Sequence, residues 1–256
     1  MHPDIESGSM ILIPAGTFRM GSQESSNEGP VREVHLSAYY IDRFPVTNRQ
    51  YRAFIEAEGY RTKRYWTAAG WELIQARGIH QPLYWNDPHW NAEDQPVTGL
   101  NWWEARAYAR FVGKTLPTEA QWECAARGRD GRRFPWGEAE PTPAHANYAV
   151  DCDPTELLRS ATPVSACLAG ASPWGCMDMA GNVGEWCLDN ASANYAWDLT
   201  HTDPLFWTGE EADHIVRGGS GLHNEDYLRC SSRDYYPPTL RDNLVGLRCV
   251  LTLEEP

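Results

Sequence analysis

The pattern of apolar and polar positions changes character along the chain. Ile11 to Met20 reads as a strand broken by a Pro-Ala-Gly turn at 14 to 16. Val31 to Leu36 and Tyr39 to Ile41 read as further short strands. Three helices follow. Thr47 caps the first, Tyr51, Phe54 and Ile55 share one face, and Gly59 stops it. Asn101 caps the second, Glu104 completes a capping box, and the helix runs to about Gly113. Thr118 with Gln121 repeats the device for a third helix that ends at Arg127-Gly128. Beyond Gly128 the pattern predicts no helix of any length, only short apolar runs between Gly, Pro, Asp and Asn. This layout predicts an α+β fold with little regular secondary structure. Its buried loops then need internal partners for their polar groups.

Composition narrows the picture. A chain of 256 residues can bury one substantial core. Its 12 Trp and 12 Tyr suit packing or a recognition surface. The formal charge of −13 argues against nucleic acid as a partner, because phosphate binding needs a basic face. No apolar run reaches membrane-spanning length, so no membrane partner is expected. The opening Met1 to Glu6 lacks the basic and apolar regions of a signal peptide. Seven cysteines without a C-x-x-C spacing predict a reduced, cytoplasmic protein without zinc.

The segments ILIPAGTFRMGS, YYIDRFPVTNRQYRAF, QPVTGLNWWEARAYARFVGKTLPTEAQWECAARG, FPWG, MDMAGNVGEW, VRGGS and VGLRC occur in that order. Together they resemble the formylglycine-generating enzyme (sulfatase-modifying factor) family. The resemblance implies one domain over residues 1–256, with its core at about 10–252 and a C-type-lectin-like fold. It does not by itself imply an activity, since site and fold are separable.

The family enzyme oxidises a cysteine to formylglycine with two copper-binding cysteines placed shortly after the RGGS motif. Here Gly221 to Leu228 contains no cysteine, so the copper site and formylglycine generation are not expected. The resemblance also implies free, buried thiols at Cys230 and Cys249, because their family partners match Ala109 and Ala126. It further implies structural calcium. The first site would use Asp178, the Gly181 and Val183 carbonyls and Glu185; the second would use Asn147, the Tyr148 carbonyl, Glu156 and the Leu158 carbonyl. Carboxylate and carbonyl oxygens in a tight turn are what calcium requires. Asn182 would brace the first turn. Other relatives are iron-dependent oxygenases whose iron histidines lie largely in a separate helical domain with H-x-x-x-H-type spacing. That domain and spacing are not expected here. His214, His223, Glu225 and Asp226 could still supply a two-histidine, one-carboxylate set.

From RGGS onward the spacing resembles a noncatalytic branch, the variable proteins of diversity-generating retroelements. The residues matching their displayed surface are Leu222, His223, Asn224, Asp226 and Tyr227, then Asp234, Tyr235, Tyr236, Thr239, Leu240, Asp242, Asn243 and Leu244. Glu225 lies within the same run. Tyrosine offers rigid contact area, and Asp, Asn and His offer adaptable hydrogen bonds. Ser220 would hydrogen-bond within the Gly-Gly turn. The first expectation is therefore a noncatalytic protein that binds an unknown protein or small-molecule ligand through residues 221 to 245. The alternative is an iron-dependent oxidase or oxygenase of the same superfamily.

Overall fold

The computed structural model describes residues 10–150, 161–164, 166–192 and 202–253. Strands β1 (Met10–Ile13) and β2 (Gly16–Met20) separate at the expected turn. They then join different sheets. Strand β2 pairs antiparallel with β3 (Arg32–Leu36), while β1 pairs antiparallel with β4 (Tyr39–Asp42).

Four helices follow, each begun by a side-chain cap. Thr47 caps α1 (Asn48–Glu56), Thr67 caps α2 (Ala68–Arg77), Asn101 caps α3 (Trp102–Phe111) and Thr118 caps α4 (Glu119–Arg127). All but the second are full capping boxes, so two otherwise orphaned donors are satisfied at each start. Helix α2 escapes the sequence pattern because its apolar residues form no single stripe. Its markers are local: the Thr67 cap and Gly78, which ends it in the left-handed region at φ 60°.

The second half of the chain builds a four-stranded sheet in the order β7-β6-β5-β8. Its strands are β5 (Gly184–Asn190), β6 (His214–Arg217), β7 (Arg233–Tyr236) and β8 (Val245–Gly246). Strands β5, β6 and β7 pair antiparallel, and β8 lies parallel to β5. A last strand, β9 (Val250–Thr252), completes a sheet with β4 and β1. The fold is thus α+β, but it holds more regular structure than expected. The sequence pattern misses β5, β6 and β8 because they are buried without clear alternation, and β7 because it is only four residues long.

Two apolar clusters flank the four-stranded sheet. One packs Tyr51, Phe54, Trp102 and Tyr108 of α1 and α3 against Trp186, Val216 and Leu247. The other packs Phe18, Val34 and Ile41 against Trp122 of α4, Ile215 and Val250. The loops leaving β6 and β7 and entering β8 therefore rest on a floor fixed from both sides.

Candidate active site

The RGGS segment begins with a charge buried beneath the sheet. Arg217 at the end of β6 is fully buried and donates to Glu123 of α4 and to the Ser232 and Cys230 carbonyls. Arg233 on the neighbouring strand makes a two-pronged pair with Glu119, at 2.7 Å for both contacts. Such forked arginine–carboxylate bonds fix direction as well as distance. They tie β6 and β7 to the start of α4.

The backbone then turns through Gly218 at φ 97° and Gly219 at φ 68°. A Cβ on Gly219 would lie 2.9 Å from the Tyr227 carbonyl oxygen, so glycine is required there by both conformation and space. Ser220 is buried, and its hydroxyl lies 2.9 Å from His223 Nδ1 while accepting from the Leu222 amide at 3.3 Å. The hydroxyl thus organises the turn.

Behind this turn lies a small, partly open depression. Its chemistry comes from His223, Tyr227, Ser232, Asp234 and Tyr236, and Val216, Leu244 and Val245 supply apolar wall. His223 stacks on the Tyr227 ring at 4.4 Å. Tyr236 Oη donates to Asp234 Oδ2 at 3.3 Å. Burial pushes the His223 imidazole below its usual range, against the upward pull of Asp234 and Asp242. Burial, then the charge of Asp234, pushes the Tyr236 phenol well up. At neutral pH the site therefore holds an uncharged imidazole and a protonated phenol beside Asp234.

The structure brings His223, Tyr227, Asp234, Tyr236 and Leu244 into one lining, with Asp242 close enough to act on His223 and Tyr236. The other expected residues are placed differently. Asn224 caps the short 3-10 turn Glu225–Leu228 by accepting from the Asp226 amide. Asp226 pairs with Arg229 at 3.2 Å, and Glu225 is exposed on the same turn. Tyr235 is exposed, Leu240 packs against the first apolar cluster, and Leu222, Thr239 and Asn243 are partly buried. Sequence reasoning missed Gly184, Val216, Ser232 and Val245. Their places follow from strand register, which pairs Gly184 with Val245 and Val216 with Asp234.

The two-histidine iron set is not assembled. His214 is fully buried, stacked on Trp102 at 3.9 Å, with Nδ1 3.0 Å from the Leu188 carbonyl. The calcium expectation also fails. Glu185 already gives both carboxylate oxygens to Arg248 at 2.9 Å and accepts the Trp122 indole N–H at 2.7 Å. Asp178 is held at φ 54° with Oδ2 buried and unpartnered, and burial pushes its carboxyl up to about 7. With the neighbouring Glu185 carboxylate already committed to Arg248 and Trp122, Asp178 lacks a second carboxylate for a calcium site. The Gly181 amide donates to the Gly218 carbonyl, and Val183 is buried beside Gly246. At the second expected site the Asn147 amide side chain donates to Asn182, and the Tyr148 hydroxyl donates to the Pro141 carbonyl. Glu156 and Leu158 lie outside the described residues. Among the described residues no group of three His, Cys, Asp or Glu could hold a metal ion, so neither calcium nor a family iron or copper fits them. Asn182 does brace its turn, accepting from the Thr162 amide at 2.8 Å. Cys230 and Cys249 are buried free thiols.

Comparison with known proteins adds what geometry alone does not. Residues 2–253 match the model of the sulfatase-modifying factor enzyme 1-like domain. A hercynine oxygenase of Mycolicibacterium thermoresistibile is 38% identical over 244 residues, 87% of this chain and 52% of that protein. The chain thus spans about half the length of that relative. A formylglycine-generating enzyme of Thermomonospora curvata is 35% identical over 286 residues, 94% of this chain and 92% of that protein. Among solved structures, Treponema denticola variable protein 1 superposes with a TM-score of 0.68 at 20% identity, covering 94% of each chain. That last likeness shows a shared fold alone.

The expectation of a noncatalytic ligand-binding protein is overturned, and with it the leaning against an enzyme. A hercynine oxygenase and a formylglycine-generating enzyme are among the relatives with more than 30% identity across most of this chain, whereas the variable protein shares only its architecture. No helix among the described residues is long and apolar enough to cross a membrane. With its domain matched from residue 2 to 253, the chain belongs to the sulfatase-modifying factor enzyme 1-like family.

Proposed function

We propose that this chain is the substrate-binding part of an oxidase or oxygenase, and that the depression behind Arg217-Gly218-Gly219-Ser220 receives the substrate. The observation that carries this reading is the 38% identity to a hercynine oxygenase across 87% of the chain. The depression supports it with an imidazole, a phenol and a carboxylate on a rigid floor. The described residues offer no metal set, so the roles below are those of the chain's own groups.

The lining carries the Asp234 carboxylate and two tyrosine rings, and neither lysine nor arginine. Ring faces and a carboxylate favour a cationic group on the substrate. His223, neutral and fixed through Nδ1 by Ser220, orients a hydrogen-bonding group. Tyr236 keeps its proton on Oη, where it can be given to a substrate oxygen. Val216, Leu244 and Val245 keep water from the apolar side.

A binding measurement on the purified protein tests this. Hercynine and a cysteine-containing peptide are titrated calorimetrically. Saturable binding is expected with one of the two, falling about tenfold or more in Asp234→Asn and Tyr236→Phe, a loss of about 1.4 kcal/mol. A folded protein that binds neither overturns the reading.

A further inference from the structure

Glu104 is a carboxylate buried to zero exposure in α3. Its Oε2 accepts the Asn101 amide at 2.9 Å, which completes the helix cap. A glutamine would serve that cap equally well. The buried charge must therefore be matched elsewhere, because an unpaired one is costly. Its match is Arg241, 137 residues away, whose Nη2 donates to Oε1 at 3.2 Å. Arg241 Nε lies 2.9 Å from Oε2, close but out of line for a hydrogen bond. Tyr60 donates to Oε1 at 2.6 Å, with Tyr51 behind it at 3.0 Å. Arg241 also donates to the Gln81 carbonyl.

Arg241 opens the short turn that supplies one wall of the depression. The Asp242 carbonyl accepts the Gly99 amide at 2.8 Å, and Asp242 Oδ1 accepts the Leu244 amide at 2.8 Å. The Leu244 carbonyl accepts the Gly184 amide at 2.7 Å, and Leu244 and Val245 face the depression. The same helix start also holds the preceding segment, since the Trp102 amide donates to the Pro238 carbonyl at 3.1 Å. The start of α3 thus grips the chain at Pro238 and again at Arg241, where the turn begins.

We infer that Glu104 and Arg241 are a positioning pair that sets the 241–245 turn, and with it the Asp242 carboxylate and the Leu244 wall, against His223 and Tyr236. The inference rests on reading the depression as a substrate pocket. Its test does not need turnover. His223 is surrounded by Ser220 and Tyr227 from its own segment, Asp234 and Tyr236 from β7, and Asp242 from the 241–245 turn. Both acids favour the imidazolium, so displacing Asp242 lowers the His223 titration midpoint.

The experiment is NMR titration of His223 in three forms of the whole chain: wild type, the double variant Glu104→Gln with Arg241→Met, and Arg241→Lys. The double variant removes both charges together, so their direct fields on His223 largely cancel, and uncharged replacements of a buried pair are often tolerated. Lysine keeps the charge but loses the planar guanidinium that reaches both Glu104 and the Gln81 carbonyl. The expected result is a folded double variant with a lowered His223 midpoint and a smaller fall for Arg241→Lys. A folded double variant with an unchanged midpoint overturns the inference. If the double variant does not fold, Arg241→Lys decides: a lowered midpoint supports positioning, and a wild-type midpoint overturns it, leaving the pair a prop of the fold. Absence of hercynine or cysteine-peptide binding in the wild type would count against the functional reading while leaving this titration intact.

Discussion

His214 shows how far one residue can be read from sequence. Its type invited a metal role, but its surroundings decide otherwise. Burial pushes its imidazole down to about 4, while its ring stacks on Trp102. Its folded pKa lies below the unfolded value of about 6.5. The unfolded chain therefore takes up a proton between those values that the folded chain refuses. The stability due to neutral His214 is present above about pH 6.5 and is lost as pH falls toward 4, by up to about 3 kcal/mol. Asp178 and Asp189, each pushed up to about 7 by burial, act in the opposite sense, favouring the fold at low pH and losing that contribution as pH rises through 7. Subtracting the unfolding free energy of His214→Phe from that of wild type, by urea titration at pH 7.5 and pH 5, isolates the first effect. The difference should move against wild type at the lower pH. A second expectation concerns Gly219. Gly219→Ala should weaken substrate binding about tenfold or more, because the new Cβ would press on the Tyr227 carbonyl at 2.9 Å and twist the His223–Tyr227 stack; calorimetry on the folded variant measures it. The glycine pair was legible in the sequence. The partners of Glu104 and Glu185 were not, since they lie 137 and 63 residues away.

Elements with local causes were the legible ones. The capping boxes of α1, α3 and α4 are written within four residues each, and all three helices form where those residues stand. Strands β5 to β8 have no such local cause. Their identity lies in the ladder that joins them, and neither Gly184 nor Val245 says in sequence that it will meet the other. Helix α4 carries more than its own length, because its first two turns offer Glu119 to Arg233 and Glu123 to Arg217. Thr118→Ala should cost about 1 kcal/mol through the lost cap, measured by chemical denaturation. The variant should also loosen the segment from Cys230 to Arg233, visible as faster amide hydrogen exchange there than in α1.

Across the whole molecule, buried arginine–carboxylate pairs stand where apolar contacts would be expected. Arg248 joins Glu185 of β5 to the Asp42 and Met177 carbonyls, so one side chain binds three distant segments. Glu185→Gln leaves that charge buried and poorly matched. It should destabilise the protein by about 3–5 kcal/mol, read as a lowered denaturation midpoint with little change in slope. The pairing of β4 with β9 has a consequence of another kind. The Cys249 amide reaches the Asp42 side chain across 207 residues, and Ile41 lies opposite Val250. Ribosomes deliver a chain from one end, so β4 emerges long before the strand that covers its edge. Until Val250 arrives, Ile13 and Ile41 have no lid and the second apolar cluster stays open. Contacts this far apart in sequence close slowly. The newborn protein thus passes through a period with a bare strand edge and exposed isoleucines, when a chaperone that shields apolar surface has the most to offer.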